Sequence, residues 1–436
     1  MNIILLSGGS GKRLWPLSND IRSKQFIKFF KHNDVYESML QRVYRQIKEV
    51  DPNSSVTIAT SKSQASAINN QLQDSVDICV EPCRRDTFPA IALAVSYLKY
   101  KKGMHNSDAV VVCPVDPYVE SDYFLCVQEL YNIAISSTDK NIFLMGIKPS
   151  VPSEKYGYIV PENKEHISSV LGFKEKPNLE NAKKYIEQGS LWNGGVFAFK
   201  IGYLLDIAKK VFGTELYSEL YSKYNELTKI SFDYAVVEKE KNIGVVQFNG
   251  SWIDAGTWST LTDVMSENII GDARMDNVCE NTHIVNELDI PIVALGIDNA
   301  IISASPDGIL VANKNTHSDI KQYVDEMHRE AMYAEKSWGN FKVIDASKNS
   351  LTIKVNIKPG DSMNYHSHLY RDEVWVVVDG EGKTLVDGNE KLIGVGDVVI
   401  MKAGSKHMVA AITELTLIEI QMGKDITVHD KIKYKI

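Results

Sequence analysis

The chain has 436 residues, 24% charged and 44% hydrophobic, with 48 Lys and Arg against 56 Asp and Glu, a formal net charge of −8. That length supports several domains with cores of their own. The acidic balance argues against a nucleic-acid surface or a basic membrane binder, and no apolar run approaches the ~18 residues of a membrane span. The apolar residues 1–6 lack a basic flank and run directly into glycines, so no signal peptide is expected. Cys79, Cys83, Cys113, Cys126 and Cys279 are scattered and form no CxxC pair. They read as ordinary thiols of a soluble cytoplasmic protein.

In chain order, an apolar strand at 3–6 ends in Gly8-Gly9. Met39, Leu40, Val43, Ile47 and Val50 are spaced for one helix face. Strands are expected at 56–59 and 77–80. Asp86 is placed to cap a helix from Pro89 to about Tyr100, with proline tolerated in its first turn. Strands at 110–113 and 142–145 flank a helical stretch near 123–135. This alternation predicts an α/β fold with a doubly wound, parallel or mixed sheet, whose ligands sit beyond the carboxyl ends of the strands. The glycines after Leu6 and the acid after Cys113 fall at such ends. From about Asn268 the character changes. Residues 291–314 show short β-type runs broken by Pro306-Asp307-Gly308, and a polar, helix-prone connector covers about 318–336. After Trp338, alternating Ile353, Val355 and Ile357 precede strands at 374–378, 398–401 and 415–420, which suggests a small β-sandwich or barrel. The expected domains are 1–265 (α/β), 266–335 (β-rich segment and connector) and 336–436 (β-barrel).

The run Ser7-Gly8-Gly9-Ser10-Gly11-Lys12-Arg13 allows a tight turn and close approach of backbone N–H groups to phosphate oxygens. It is neither a Walker A loop, which needs glycine at Leu6 and Ser or Thr at Arg13, nor a dinucleotide fingerprint, which needs glycine at Leu14. The plain alternative is a strand-to-loop turn. The loop continues as Leu14-Trp15-Pro16-Leu17-Ser18 and then Lys24-Gln25-Phe26. Further strings follow in order: Glu81-Pro82 with Arg85-Asp86-Thr87-Phe88-Pro89, Pro114-Val115-Asp116, Tyr156-Gly157-Tyr158-Ile159 and Phe173-Lys174-Glu175-Lys176-Pro177. Trp192-Asn193-Gly194-Gly195-Val196-Phe197, Asp233-Tyr234-Ala235-Val236-Val237-Glu238-Lys239 and Trp252-Ile253-Asp254-Ala255-Gly256-Thr257-Trp258 complete the set.

Together these strings resemble the sugar-1-phosphate nucleotidyltransferases, and within them the bacterial mannose-1-phosphate guanylyltransferases of the two-part type with a C-terminal mannose-6-phosphate isomerase-like cupin. The resemblance implies transfer of GMP from GTP to mannose 1-phosphate, giving GDP-mannose and diphosphate. Gly8, Gly9, Gly11, Arg13, Lys24, Glu81, Arg85 and Asp86 would bind the nucleotide, and Asp116 and Asp254 would hold Mg²⁺. Arg13 and Lys24 suit a triphosphate, arginine gripping two oxygens and lysine acting as a movable point charge. Gly157, Glu175 and Asn193 would read the sugar hydroxyls, and Lys176 would hold the sugar phosphate. Taken singly, each has a structural reading: Glu175 and Lys176 as a charged turn, Asn193 as a local backbone partner, Asp116 as a turn cap. Trp192, Trp252 and Trp258 read as packing residues.

Lys12 stands where the family usually has threonine, Asp86-Thr87-Phe88-Pro89 where it has Asn-Thr-Ala-Pro, and Pro114-Val115-Asp116-Pro117 where it has Pro-Ala-Asp-His. The metal carboxylate survives and the base-side loop changes. A carboxylate at Asp86 can accept from guanine N1–H and N2–H₂, and Phe88 fits a core position.

In the C-terminal part, Gly360, His366, His368, Glu373 and Gly380, then Gly396, Gly404 and His407, have the spacing of the two cupin motifs. His366 and His368 share one strand face, and a three-His, one-carboxylate set suits Zn²⁺, Mn²⁺, Fe²⁺ or Ni²⁺. The resemblance implies interconversion of mannose 6-phosphate and fructose 6-phosphate. Yet Met408 and Val428 stand where basic residues are expected, and Lys336-Ser337-Trp338-Gly339 replaces Arg-Pro-Trp-Gly. The alternative is transfer of another nucleotide, or transfer to another sugar 1-phosphate, with a structural, non-catalytic cupin. No nucleic-acid or membrane partner is expected, and homo-oligomerisation stays open.

Overall fold

In the computed structural model the first apolar run is the strand Asn2–Ser7, flanked in parallel by Ser55–Ser61 and Ala109–Pro114. All residues are described except Ser10, Gly11, Asp20, 316–319, 328–330, Asp425, 427–429 and Ile436. They form two compact units, Met1–Leu14 with Ser23–Glu267 and Trp15–Arg22 with Asn268–Ile436. Among the described residues no helix is long and apolar enough to cross a membrane, and all five cysteines are free.

The first unit is built on a nine-stranded sheet. Its order is Asp77–Glu81, Ser55–Ser61, Asn2–Ser7, Ala109–Pro114, Leu191–Lys200, Ile142–Ile147, Ile243–Phe248, Ile167–Lys174 and Tyr158–Pro161. The first four strands are parallel, as expected of a doubly wound sheet. Leu191–Lys200 then runs antiparallel to both its neighbours, so the sheet is mixed. Tyr158–Pro161 pairs back onto Leu191–Lys200, which closes the last five strands into a ring.

The helices follow local signals. Ser38 and Gln41 form a capping box at the start of Met39–Val50. Asp86 caps Thr87–Tyr100 by accepting from the Thr87 N–H. That helix is apolar on nearly every side, and Phe88, Ile91, Leu93 and Val95 enter the main core with no exposure. The hairpin Lys28–His32 with Val35–Ser38 and the Gln- and Asn-rich helix Ala65–Leu72 carry little apolar periodicity and were not expected from sequence.

In the second unit, Ala300–Ser305 and Gly308–Asn313 form a hairpin about Pro306-Asp307. Short parallel rungs join Ile269–Ile270, His283–Asn286 and Ala300–Ser305. The expected connector is shorter than its polar composition suggested. Its helix is Ile320–Met327, and Tyr333–Lys336 is a strand paired with Gly339–Ala346. Only Ala334 of that strand faces the core, which hid the β pattern. The C-terminal region is the expected β-rich cupin. A six-stranded and a five-stranded sheet share a core of Ile353, Val355, Trp375, Val377, Val409, Leu415 and Leu417.

The segment Trp15–Arg22 is anchored inside this second unit. Arg22 makes a bidentate pair with Glu287, Nη1 to Oε2 at 2.6 Å and Nη2 to Oε1 at 2.8 Å, and its guanidinium lies 5.4 Å from the Tyr333 ring centre. Asn19 donates to Asp307 at 2.7 Å, and Ser305 donates to the Pro16 carbonyl at 2.7 Å. Glu287→Ala leaves a largely buried guanidinium without its carboxylate, and is expected to cost about 2 kcal/mol. A lowered midpoint of thermal unfolding, smaller in Glu287→Gln, checks this.

Candidate active site and metal centre

The first site forms beyond the carboxyl end of an interior strand of the nine-stranded sheet. Asp116 follows the strand Ala109–Pro114. The short strand Pro117–Val119 pairs antiparallel with Trp252–Asp254, with Asp254 opposite Pro117. This ladder sets two carboxylates from distant parts of the chain beside each other. Lys24, in the short helix Lys24–Phe26, places its Nζ 3.0 Å from Asp116 Oδ2 and 4.0 Å from Asp254 Oδ1. Glycine at 256 leaves this pair undisturbed, because a Cβ would stand 2.7 Å from Asp254 Oδ1 and 3.2 Å from Lys24 Nζ and would displace them. Two converging carboxylates with only oxygen donors match the chemistry that Mg²⁺ takes.

The glycine loop is held from behind. The Gly9 carbonyl accepts from Ser23 Oγ at 2.8 Å and from Gln64 Nε2 at 3.0 Å. Gly8 is exposed and faces Glu81, whose Oε1 lies 3.9 Å from where a Gly8 Cβ would be. Burial pushes the Glu81 carboxyl above its usual range, against the opposing hydrogen bond from the Tyr224 hydroxyl at 2.6 Å. Arg13 is exposed in the short helix Lys12–Leu14. Gly11 lies outside the described residues.

The base-side candidates are arranged differently from the rest. The Arg85 guanidinium donates to the Asn225 carbonyl. Asp86 uses one oxygen as a helix cap and adopts a left-handed φ of 71°. Phe88 has no exposure and stacks on Phe212 at 4.9 Å, so it is a core residue.

Gly157, Glu175, Lys176 and Asn193 are brought together. The Asn193 N–H donates to the Gly157 carbonyl at 2.8 Å. A Cβ on Gly157 would lie 2.6 Å from Glu175 Oε2, so glycine makes room for that carboxylate. Lys176 reaches Glu175 Oε1 at 2.7 Å from a backbone with φ 44°. The Asn193 Nδ2 donates to Asp233 Oδ1 at 2.7 Å, and its Oδ1 accepts from the Gly195 N–H at 3.1 Å.

Tyr156 joins this cluster to the acidic pair. Its ring lies 4.7 Å from Trp192 and 5.4 Å from Trp252. Burial, helped by the charges of Asp254 and Asp116, pushes its phenol up to about 12. Trp192 and Trp258 are buried and pack as expected. Tyr156, Tyr224 and Asp233 were not singled out in the sequence, although Tyr156 and Asp233 lie within the quoted strings.

In the second unit, His366, His368, Glu373 and His407 are buried, with their ligand atoms within 4.8 Å of one another. Each imidazole points its Nδ1 at a backbone carbonyl, His366 at Asn364 at 2.6 Å, His407 at Ser405 at 2.9 Å, and His368 at Asp430. A carbonyl only accepts, so Nδ1 carries the proton and the Nε2 lone pairs remain. Burial holds the His366 and His368 rings neutral. It pushes His366 down to about 2, aided by Lys431 and His407, and His368 down to about 4 against the opposing charge of Glu373. Arg371 donates to Glu373 Oε1 at 2.9 Å and to His368 Nε2 at 3.0 Å. Neutral imidazoles with one buried carboxylate suit a divalent transition metal.

The cations of this site are fuller than the motif comparison suggested. Met408 is half-buried, and Val428 lies outside the described residues. Lys431, however, interacts electrostatically with Glu419, Glu373 and Arg371, and Lys433 pairs in register with His366.

Residues 2–269 match the family described as Nucleotidyl transferase, and residues 321–435 match that described as Mannose-6-phosphate isomerase C-terminal. The mannose-1-phosphate guanylyltransferase of Salmonella montevideo is 27% identical over 475 residues, covering 99% of this chain and 98% of that protein. The mannose-1-phosphate guanylyltransferase of Escherichia coli strain K12 is 28% identical over 470 residues, covering 99% and 97%. Among solved structures, the mannose-1-phosphate geranyltransferase of Thermus thermophilus superposes with a TM-score of 0.64 at 27% identity, covering 75% of this chain and 99% of that one.

The orientation of the three imidazoles leads to a direct expectation. Purified protein exposed to Zn²⁺, Mn²⁺, Fe²⁺ or Ni²⁺ should retain about one ion per chain after desalting, and His366→Ala should lose it. Elemental analysis of the two proteins side by side checks this.

Proposed function

The chain belongs to the nucleotidyl transferase family, and we propose that it transfers GMP from GTP to α-D-mannose 1-phosphate, giving GDP-mannose and diphosphate. The observation that carries this reading is the meeting of Lys24, Asp116 and Asp254 at the strand ends. The near full-length similarity to two mannose-1-phosphate guanylyltransferases supports the choice of substrates.

In the proposed reaction a phosphate oxygen of the sugar phosphate attacks the α-phosphorus of the triphosphate. The new O–P bond forms as the bond to the β-phosphate bridging oxygen breaks, and the electron pair leaves with diphosphate. Both reactants are anions, so the work of the protein is to neutralise charge and hold them in line. Lys24 and Arg13 bind the triphosphate, with the Gly8-Gly9 loop supplying backbone N–H groups. Lys176 binds the sugar phosphate, while Gly157, Glu175 and Asn193 accept and donate to its hydroxyls. Asp116 and Asp254 would hold Mg²⁺, which when bound supplies positive charge at the α-phosphate. Asp86 retains its second carboxylate oxygen for the donor edge of guanine.

A second activity, interconversion of mannose 6-phosphate and fructose 6-phosphate, is favoured by one observation. Arg371 and Lys431 bring cationic charge to Glu373, one of four residues whose ligand atoms lie within 4.8 Å of one another. Arg371 and Lys431 would anchor the phosphate, and His366, His368, Glu373 and His407 would hold the ion. If the cupin turns nothing over, it is a structural domain.

Asp254→Ala is expected to lower kcat for GMP transfer about 1000-fold or more, on the scale of losing a group that stabilises transition-state charge. Diphosphate release measured with GTP, mannose 1-phosphate and Mg²⁺ checks it, and near-wild-type turnover would remove the reading. His407→Ala should leave that transfer within about threefold of wild type while abolishing fructose 6-phosphate conversion. Running both assays on both variants separates the two activities.

A further inference from the structure

Asp233 sits in the short helix Phe232–Ala235, whose position is fixed from the core side. Phe232 has no exposure and packs on Phe88, Phe197 and Phe199. Its N–H donates to the Thr87 hydroxyl at 2.8 Å, and the Phe88 N–H donates to the Ile230 carbonyl at 3.2 Å. The carboxylate that follows Phe232 is thereby delivered to Asn193, and its Oδ1 accepts from the Asn193 Nδ2 at 2.7 Å.

That bond decides what Asn193 can show to a ligand. An ionised carboxylate only accepts and a backbone N–H only donates. With Asp233 on one side and the Gly195 N–H on the other, the amide has one permitted orientation. One Nδ2 hydrogen and one Oδ1 lone pair remain, beside Gly157 and Glu175. Without Asp233 only the Gly195 N–H, at 3.1 Å, still resists a turn of the amide that would exchange donor for acceptor at the same place.

We infer that Asp233 is a positioning residue for the sugar-phosphate pocket, holding the Asn193 amide so that its remaining N–H and carbonyl lone pair meet the sugar hydroxyls in one arrangement. This rests on the reading of Asn193 as a sugar contact. The arrangement works against stability. Burial and the nearby negative charge of Glu175 push the Asp233 carboxyl up to about 6, against the Asn193 hydrogen bond and the charge of Lys176. The folded value lies above the ordinary 3.8, so the folded state holds its proton longer than the unfolded chain does. Stability from this group is therefore fully present below the ordinary value and lost as pH rises toward about 6. The groups facing the carboxylate are Glu175 and Lys176 after the strand Ile167–Lys174 and Asn193 on Leu191–Lys200.

The test is a kinetic double-mutant cycle with Asp233→Ala, Asn193→Ala and the double variant, at saturating triphosphate. Asp233→Ala is expected to lower kcat/KM for the sugar phosphate about 30-fold, with the triphosphate KM within about threefold of wild type. The double variant should fall within about threefold of Asn193→Ala alone. Effects that multiply, or an equal loss toward the triphosphate, would overturn the inference. Asp233→Asn keeps an acceptor and removes the buried charge. It should recover sugar-phosphate kcat/KM to within about fivefold of wild type and melt higher than wild type at pH 7 but not at pH 4. A loss as large as that of the alanine variant, or a lower melting point at pH 7, would contradict it even if Asp233→Ala fails to fold. If the wild type turns over no sugar 1-phosphate, the substrate reading falls with the inference. Turnover with a multiplicative cycle removes the inference alone.

Discussion

Two carboxylates held beside one lysine is the constraint on which the first unit is organised. Asp116 and Asp254 carry like charges, and their repulsion works against the fold. The Lys24 ammonium, 3.0 Å from one and 4.0 Å from the other, offsets that repulsion. The surrounding backbone is shaped to permit it. The Pro117–Val119 and Trp252–Asp254 ladder sets the separation, and Gly256 leaves the space a side chain would fill. The same three charges suit a strongly anionic pair of reactants. Asp116 and Asp254 would hold a divalent ion, and the Lys24 ammonium would then serve phosphate.

The two sites share a second device, in which a buried polar group is oriented by a partner that can play only one role. At Asn193 the partners are a carboxylate and a backbone N–H. At His366, His368 and His407 they are backbone carbonyls, which put the proton on Nδ1 and leave each Nε2 as the acceptor atom. Fixed orientation removes rearrangement from the binding step, the role of supporting residues in pre-formed sites generally. It also explains the buried, destabilised carboxyl of Asp233: the protein retains a charge where an apolar group would be more stable.

Much of this was legible in the sequence because buried strands read as apolar runs and helix starts carry their own caps. The strands at Asn2–Ser7, Ser55–Ser61 and Ala109–Pro114 and the Asp86 cap follow from such patterns. Strand direction did not. Leu191–Lys200 is apolar whichever way it runs, and its antiparallel pairing depends on contacts distant in sequence. Tyr333–Lys336 was hidden because only Ala334 faces the core. Among the candidate site residues, the motifs named Lys24, Asp116, Asp254, Glu175 and Asn193. They passed over Tyr224, Tyr156 and Asp233, whose contacts are with Glu81, with Trp192 and Trp252, and with Asn193. Lys431 lies in the tail beyond the cupin motifs, so its approach to Glu373 and Arg371 emerges only from the folded chain.

The central claim is that this site joins a guanine nucleotide to a sugar phosphate. Its most direct test is diphosphate release from wild-type protein with Mg²⁺ and mannose 1-phosphate, comparing GTP with ATP, CTP, UTP and dTTP under one set of conditions. The account predicts turnover with GTP well above the other four. Faster turnover with another triphosphate, or release with none of them, would contradict it.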